Sequence, residues 1–173
     1  MDEEDELPYA SIPDPPGRVG GATVMVRLID GLAFRYRWAT EGLRAADADF
    51  RPGEGSMTLR ELLVHIARLV SWTDGHLGGK SSTSFEPELQ ALRRQTLTHL
   101  GQMRERLLTM NDGTLAQHHI TSKLGDSQPF WNMLNGPLAD ALTHVGQVNA
   151  WRRLAGNPAP RVDVFRGRPP ASS

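Results

Sequence analysis

Four separate stretches of this chain carry apolar residues at alternating spacings of three and four, and that period constrains the fold more than any other feature. Such spacing lines the residues along one face of a helix, so each stretch has a stripe to bury and none can bury it alone. In the first, Met25, Ile29, Leu32, Tyr36, Ala39 and Leu43 form a continuous stripe, with Arg27, Asp30, Arg35, Arg37 and Glu41 off it. The second opens on Thr58-Leu59-Arg60-Glu61, a capping box, and continues through Leu62, Ile66, Leu69 and Thr73 to Gly78-Gly79. The third starts at Glu86-Pro87, with proline suited to a first helical position. It carries Leu89, Leu92, Thr96, Leu100, Met103, Leu107 and Met110 before Asn111-Asp112-Gly113. The fourth runs from Phe130 to Ala155 with Trp131, Leu134, Leu138, Ala141, Val145 and Val148 inward, and Gly156 caps it. Gly136-Pro137 falls inside this last segment and should kink it or mark its true start.

Four amphipathic segments of about 20 residues predict an all-α fold, a four-helix bundle. The connections at 44–57 and 111–128 exceed minimal hairpins, which leaves room for at least one to cross the bundle. The stretch 118–124 has some β character. Residues 1–21 combine an acidic run, four prolines and three glycines, and are expected to be an extended or disordered arm; the run itself reads as a solvating tail. The bundle is expected over 22–156, and 157–173 form a Pro- and Arg-rich tail of the same arm-like character.

Composition narrows the chemistry. The 173 residues include no cysteine, which excludes disulfides, thiolate metal sites and cysteine nucleophiles, so any metal must take His, Asp or Glu. Nineteen Lys and Arg against twenty Asp and Glu give a net charge of -1 with no basic cluster, so nucleic acid is not an expected partner. The opening Met1-Asp2-Glu3-Glu4-Asp5 is the reverse of a basic leader, and no apolar run approaches the ~18 residues that span a bilayer. A cytoplasmic protein with no membrane partner is expected.

The residues that could carry chemistry centre on Asp140 and His144, which lie four apart and so project from one helix face. His65 borders the apolar face of the second helix, where an imidazole needs polar partners. Together, His65, Asp140 and His144 would form a two-histidine, one-carboxylate ligand set with positions left open for water or substrate. The plainer alternatives are a surface ion pair on the fourth helix and a satisfied core histidine on the second. Trp72 follows His65 by seven residues and Trp151 follows His144 by seven, so each could wall a pocket or simply pack in the core. His118-His119 read as an exposed loop pair, and His76 and His99 as surface residues. Ser56, Ser71 and Ser84 sit in no nucleophile elbow, and no glycine-rich loop follows a strand, so serine-hydrolase and nucleotide-binding motifs are absent from the sequence.

Two segments resemble the DinB/YfiT-like four-helix-bundle superfamily. They are Thr58 to Ala67, around His65, and Gly136 to Gln147 continuing into Arg152-Arg153-Leu154-Ala155-Gly156-Asn157-Pro158. The similarity covers most of residues 22–160. It implies a metal site between helices, with His65 from the second and a paired motif ending in Gly-Gln from the last. Where the family has the first histidine of that pair, this chain has Asp140. A carboxylate is a harder ligand, which moves preference from a three-imidazole zinc-like site toward iron, manganese or nickel, or weakens the site altogether. Gly146 would admit a neighbouring helix, and Gln147 is placed to orient a ligand or water, or is an ordinary buried amide.

The resemblance implies a metal-dependent protein of hydrolase or thiol S-transferase type. In it a divalent ion (Zn, Ni, Fe or Mn) activates water or a low-molecular-weight thiol cosubstrate against a small-molecule substrate. The competing expectation is a non-catalytic dimeric bundle, stress-associated, with a vestigial metal site. Pairing is common among relatives, and Phe34 and Trp38 lie off the first stripe, so a homodimer is expected.

Overall fold

The four stripes close on one another around a single apolar core. The computed structural model describes residues 7–122 and 124–171, and the acidic N-terminal run lies outside them. In chain order the elements are α1 (Gly21–Ala39), α2 (Leu59–His76), α3 (Leu89–Thr109) and the short α4 (Asp112–Ala116). A small antiparallel hairpin follows, β1 (His119–Thr121) against β2 (Ser127–Pro129), with Ile120 opposite Gln128. The single turn α5 (Trp131–Met133) then passes through a wide turn, Leu134–Leu138, into α6 (Ala139–Leu154).

Helix α1 packs against α3 and α6, and α2 also packs against α3 and α6, so the order around the bundle is α1, α3, α2, α6. Helices consecutive in sequence, α1 and α2, therefore face each other across the core. So do α3 and α6. Both long connections cross the bundle, and the neighbours α2 and α6 bring distant parts of the sequence together. Ile29, Leu32, Leu62, Ile66, Leu92, Leu100, Met103, Ala141 and Val148 are buried at the centre. Each large side chain of this set contributes about 1.5–3 kcal/mol through removal from water.

Several sequence expectations change once the chain folds. Helix α3 begins at Leu89 with Glu88 as its cap, so Pro87 precedes the helix instead of opening it. Trp131 is 71% exposed, because the wide turn around Gly136 and Pro137 rotates α5 away from the face that α6 buries. Asp30 and Arg37, off the α1 stripe, are buried. Arg37 pairs with Glu41 at 3.2 Å, and Asp30 lies beside the N-terminal arm, whose Leu7 and Tyr9 join the core. Asp30 is matched there by Arg104 of α3, Nε to Oδ1 at 2.9 Å. Phe34 is fully buried within the chain, and the Trp38 indole donates to the Ala10 carbonyl at 3.1 Å, so neither is a free anchor for a second copy. The two arms meet where the Ile12 N–H donates to the Gly167 carbonyl at 2.9 Å. A Cβ on Gly167, whose φ is +66°, would lie 2.5 Å from Ile12, so that crossing requires glycine.

Candidate metal centre

The capping box fixes where α2 starts: the Glu61 N–H donates to Thr58 Oγ1 at 3.2 Å and the Thr58 N–H to Glu61 Oε2 at 2.6 Å. From that start, the helical period turns Leu62, Ile66 and Val70 inward and leaves His65, Leu69 and Trp72 on the flank facing α6 and the hairpin. On α6, Pro137 lacks the N–H that would continue a regular ladder from α5, so the helix proper begins at Ala139. Asp140 then falls in its first turn, where the helix dipole favours a carboxylate.

Across the α2–α6 interface three side chains converge. His65 Nε2 lies 3.4 Å from Asp140 Oδ2, and His144 Nε2 lies 3.2 Å from Asp140 Oδ1. The two imidazoles meet edge to face, centroids 4.7 Å apart at 83°. One ligand atom from each residue lies within 4.8 Å of the others, and the set could hold a metal ion. The electrostatics point the same way. With Gln147 turned oxygen-first, His144 Nδ1–H donates to its Oε1 at 2.7 Å, which leaves the Nε2 lone pair directed at the carboxylate. A lone pair and a carboxylate at that distance repel unless a proton or a cation lies between them. Asp140 is 46% exposed and His144 13%, so the set opens outward.

It opens onto a cleft of about 1230 Å³. Its walls are the α2 flank, the loop at 81–85, the hairpin, and the chain from Asn132 to Thr143. Trp72 is on this wall with its ring over His76, 3.9 Å between centroids. Trp151 packs against the core instead and does not line the cleft. Gln147 is exposed, not a buried amide, and its side chain meets His144 Nδ1 at 2.7 Å. Gly146 faces open space, so it admits no neighbouring helix.

Of the remaining histidines, His76, His99 and His118 are less exposed than their sequence reading, and His119 agrees with it. His119 is exposed, but His118 is half-buried and meets Phe130 edge-on. His76 ties the end of α2 to β1, with Nδ1 3.0 Å from the Trp72 carbonyl and Nε2 3.2 Å from that of Thr121. His99 is half-buried between Asp74 and Ser82. No helical or strand spacing joins positions 74, 82 and 99, so the sequence carries no local signal for this group.

The sequence matches no family model and no curated protein. The fold does have a counterpart: the crystal structure of the DinB-like protein YjoA from Bacillus subtilis. The two superpose with a TM-score of 0.60 at 15% identity, over 82% of this chain and 99% of that one. The chain has the DinB-like fold. A helical bundle to which, among the described residues, a two-stranded hairpin is added is the architecture that the residues around His65 and Gly136 to Gln147 implied. Among the described residues, no helix is long and apolar enough to cross a membrane.

Proposed function

We propose that this DinB-like chain is a metal-dependent enzyme in which His65, Asp140 and His144 hold a divalent ion at the edge of the cleft. The reaction is hydrolysis or thiol S-transfer on a small molecule. The observation that carries this reading is the convergence of two imidazoles and one carboxylate beside a cavity large enough for a substrate. When bound, the ion supplies a lowered pKa for a coordinated water or thiol and polarises a substrate oxygen. The protein's own groups have separate tasks. Gln147 sets the tautomer of His144, and the carboxylate in place of a third imidazole admits Fe, Mn or Ni as well as Zn. Leu69, Trp72, Phe85 and Ile120 give the cleft an apolar lining that excludes water from the substrate. With no cysteine in the chain, a transferred thiol belongs to a cosubstrate.

The test is elemental analysis of the purified protein after dialysis against a mild chelator, with circular dichroism as the folding control. Wild type retains metal; Asp140→Ala loses affinity by orders of magnitude yet stays folded, because apolar burial along four helices supplies most of the stability. Asp140→His keeps binding, with preference moved toward zinc, copper and nickel. Equal metal content in wild type and folded Asp140→Ala removes the assignment.

The second reading is a non-catalytic dimeric bundle. It draws on the exposure of Trp131, a large apolar side chain of the kind that anchors interfaces. Light scattering at micromolar concentration distinguishes the states, and a mass near 19.1 kDa removes the dimer from either reading.

A further inference from the structure

The same cleft touches a second polar constellation, which the metal reading leaves unused. Asp74, near the end of α2, is wholly buried, with Oδ2 3.0 Å from His99 Nδ1 of α3 and Oδ1 ion-paired with Arg106. On the other side of the ring, His99 Nε2 lies 2.9 Å from Ser82 Oγ. A carboxylate only accepts, so Nδ1 carries a hydrogen, and in the neutral ring Nε2 then turns its lone pair to the Ser82 hydroxyl. Burial falls outward in the same order: Asp74 is enclosed, His99 half-buried, and Ser82 lines the cleft.

The loop that presents Ser82 is clamped. Its N–H donates to Ser71 Oγ at 2.6 Å. A Cβ on Gly79 would lie 2.6 Å from the Asp74 carboxyl, and one on Gly75 would collide with the Ser81 hydroxyl, so two glycines allow the loop to sit directly on the carboxylate. On the cleft wall beside it stand Trp72 and Phe85, with Arg68 over the Phe85 ring at 5.8 Å. Arg68 makes no ion pair among the described residues, and its charge complements an oxyanion.

We propose that Ser82 is the nucleophile of a serine esterase centre, with His99 as its general base and Asp74 as the positioning residue, acting on small carboxylic esters with an apolar acyl group. Hydrogen-bonded nucleophile, base and orienting carboxylate form the arrangement such chemistry needs, and it is recognised by geometry, not sequence order. Ser82 Oγ adds to the ester carbonyl carbon as its proton passes to His99 Nε2. The carbon–oxygen bond to the alcohol breaks, and His99 returns that proton to the departing alkoxide. Water then adds to the acyl-serine, giving its proton to His99, which protonates Ser82 Oγ as the acid leaves. None of these steps uses His65, Asp140 or His144, so this proposal stands or falls separately from the metal reading.

The experiment treats the full chain with a fluorophosphonate, whose fluoride Ser82 Oγ displaces from phosphorus, and locates the adduct by peptide mass spectrometry. One adduct, on Ser82, is expected, at the same rate with and without chelator, and at least about 100-fold slower in His99→Gln. Because the chain has no cysteine, Ser82→Cys offers a second measurement with His99 intact. Its thiol should react with iodoacetamide at neutral pH about tenfold or more faster than that of Ser84→Cys, an exposed position on the same loop. Nitrogen-15 NMR of His99 reads the role of Asp74: hydrogen on Nδ1 in wild type, and on Nε2 in Asp74→Asn, whose amide donates. Folded wild type without an adduct on Ser82 overturns the proposal, as does a Ser82→Cys thiol no faster than Ser84→Cys.

Discussion

The C-terminal end of α1 is closed by a guanidinium from the far end of the chain. Arg152, buried in α6, donates through Nη1 to the carbonyls of Ala39 at 2.9 Å and Glu41 at 2.6 Å, and through Nε to that of Asn157 at 2.8 Å. Burial pulls its pKa down, but nearby Asp47 and Glu41 oppose that pull. Arg93 of α3 reaches the same helix end, through Thr40 Oγ1 at 3.1 Å and the Glu41 carboxylate. Truncation at position 152 orphans three carbonyls at once, that of Ala39 buried and those of Glu41 and Asn157 partly so. Arg152→Ala is therefore expected to lower stability by about 2–4 kcal/mol in a urea titration, and Arg152→Lys to recover only part of it, since an ammonium lacks the planar fork. At the proposed metal centre, Gln147→Ala releases the hydrogen bond to His144 Nδ1. Metal affinity should fall about 10–100-fold in a competition titration, and an unchanged affinity would mean that Gln147 does not act on the site.

Helix boundaries separate what short-range rules control from what they do not. The α2 cap joins residues three apart, Thr58 and Glu61, and it forms as the sequence pattern requires. Thr58→Ala should cost about 0.5–2 kcal/mol by thermal or urea denaturation while leaving the metal content intact, because His65 is set by the period of the helix and not by its first turn. The start of α1 obeys a different logic. Gly20 has no side chain to cap with, and the Ala22 N–H instead donates to Asp112 Oδ1 at 2.9 Å, a carboxylate 90 residues away. That hydrogen bond holds the Asp112 carboxyl below the usual carboxylate range. In α6 the local signal, Gly136-Pro137, was legible as a kink. Its consequence was not, since the exposure of Trp131 depends on where the turn points α5.

At the scale of the whole molecule, Asp47 ties the α1–α2 crossover to the C-terminal arm. It accepts from the Arg44 N–H at 2.8 Å, the Arg44 guanidinium at 2.7 Å and the Asn157 amide at 2.6 Å. Burial raises its pKa, but these hydrogen bonds outweigh that and bring it to about 2 from the ordinary 3.8. A carboxyl depressed on folding stabilises the protein fully above the unfolded value, and that stability drains as pH falls from 3.8 toward 2. With Arg44 exposed and screened, the contribution is on the order of 1 kcal/mol. Urea titrations at about pH 3 and pH 6 should show Asp47→Asn less acid-sensitive than wild type by that amount; identical pH dependence would place the acid-labile group elsewhere.

The sequence alone determined the four helices, the α2 cap, the kink before α6, and the facing of Asp140 and His144, because each depends on neighbours within about one turn. The position of His65 at the border of the apolar face of α2 made it the candidate third ligand, and the resemblance in the same segments agreed. Tertiary structure decided everything carried by contacts between distant positions. It placed α1 opposite α2, which makes both long connections crossovers and makes α2 and α6 neighbours. It buried Asp30 beneath the N-terminal arm and assigned Arg152 to the end of another helix. It also joined Asp74, Ser82 and His99, whose separations follow no helical or strand period. Periodicity states which face of an element is apolar. Which element covers that face depends on the packing of all of them at once, and polar side chains then find partners according to that packing.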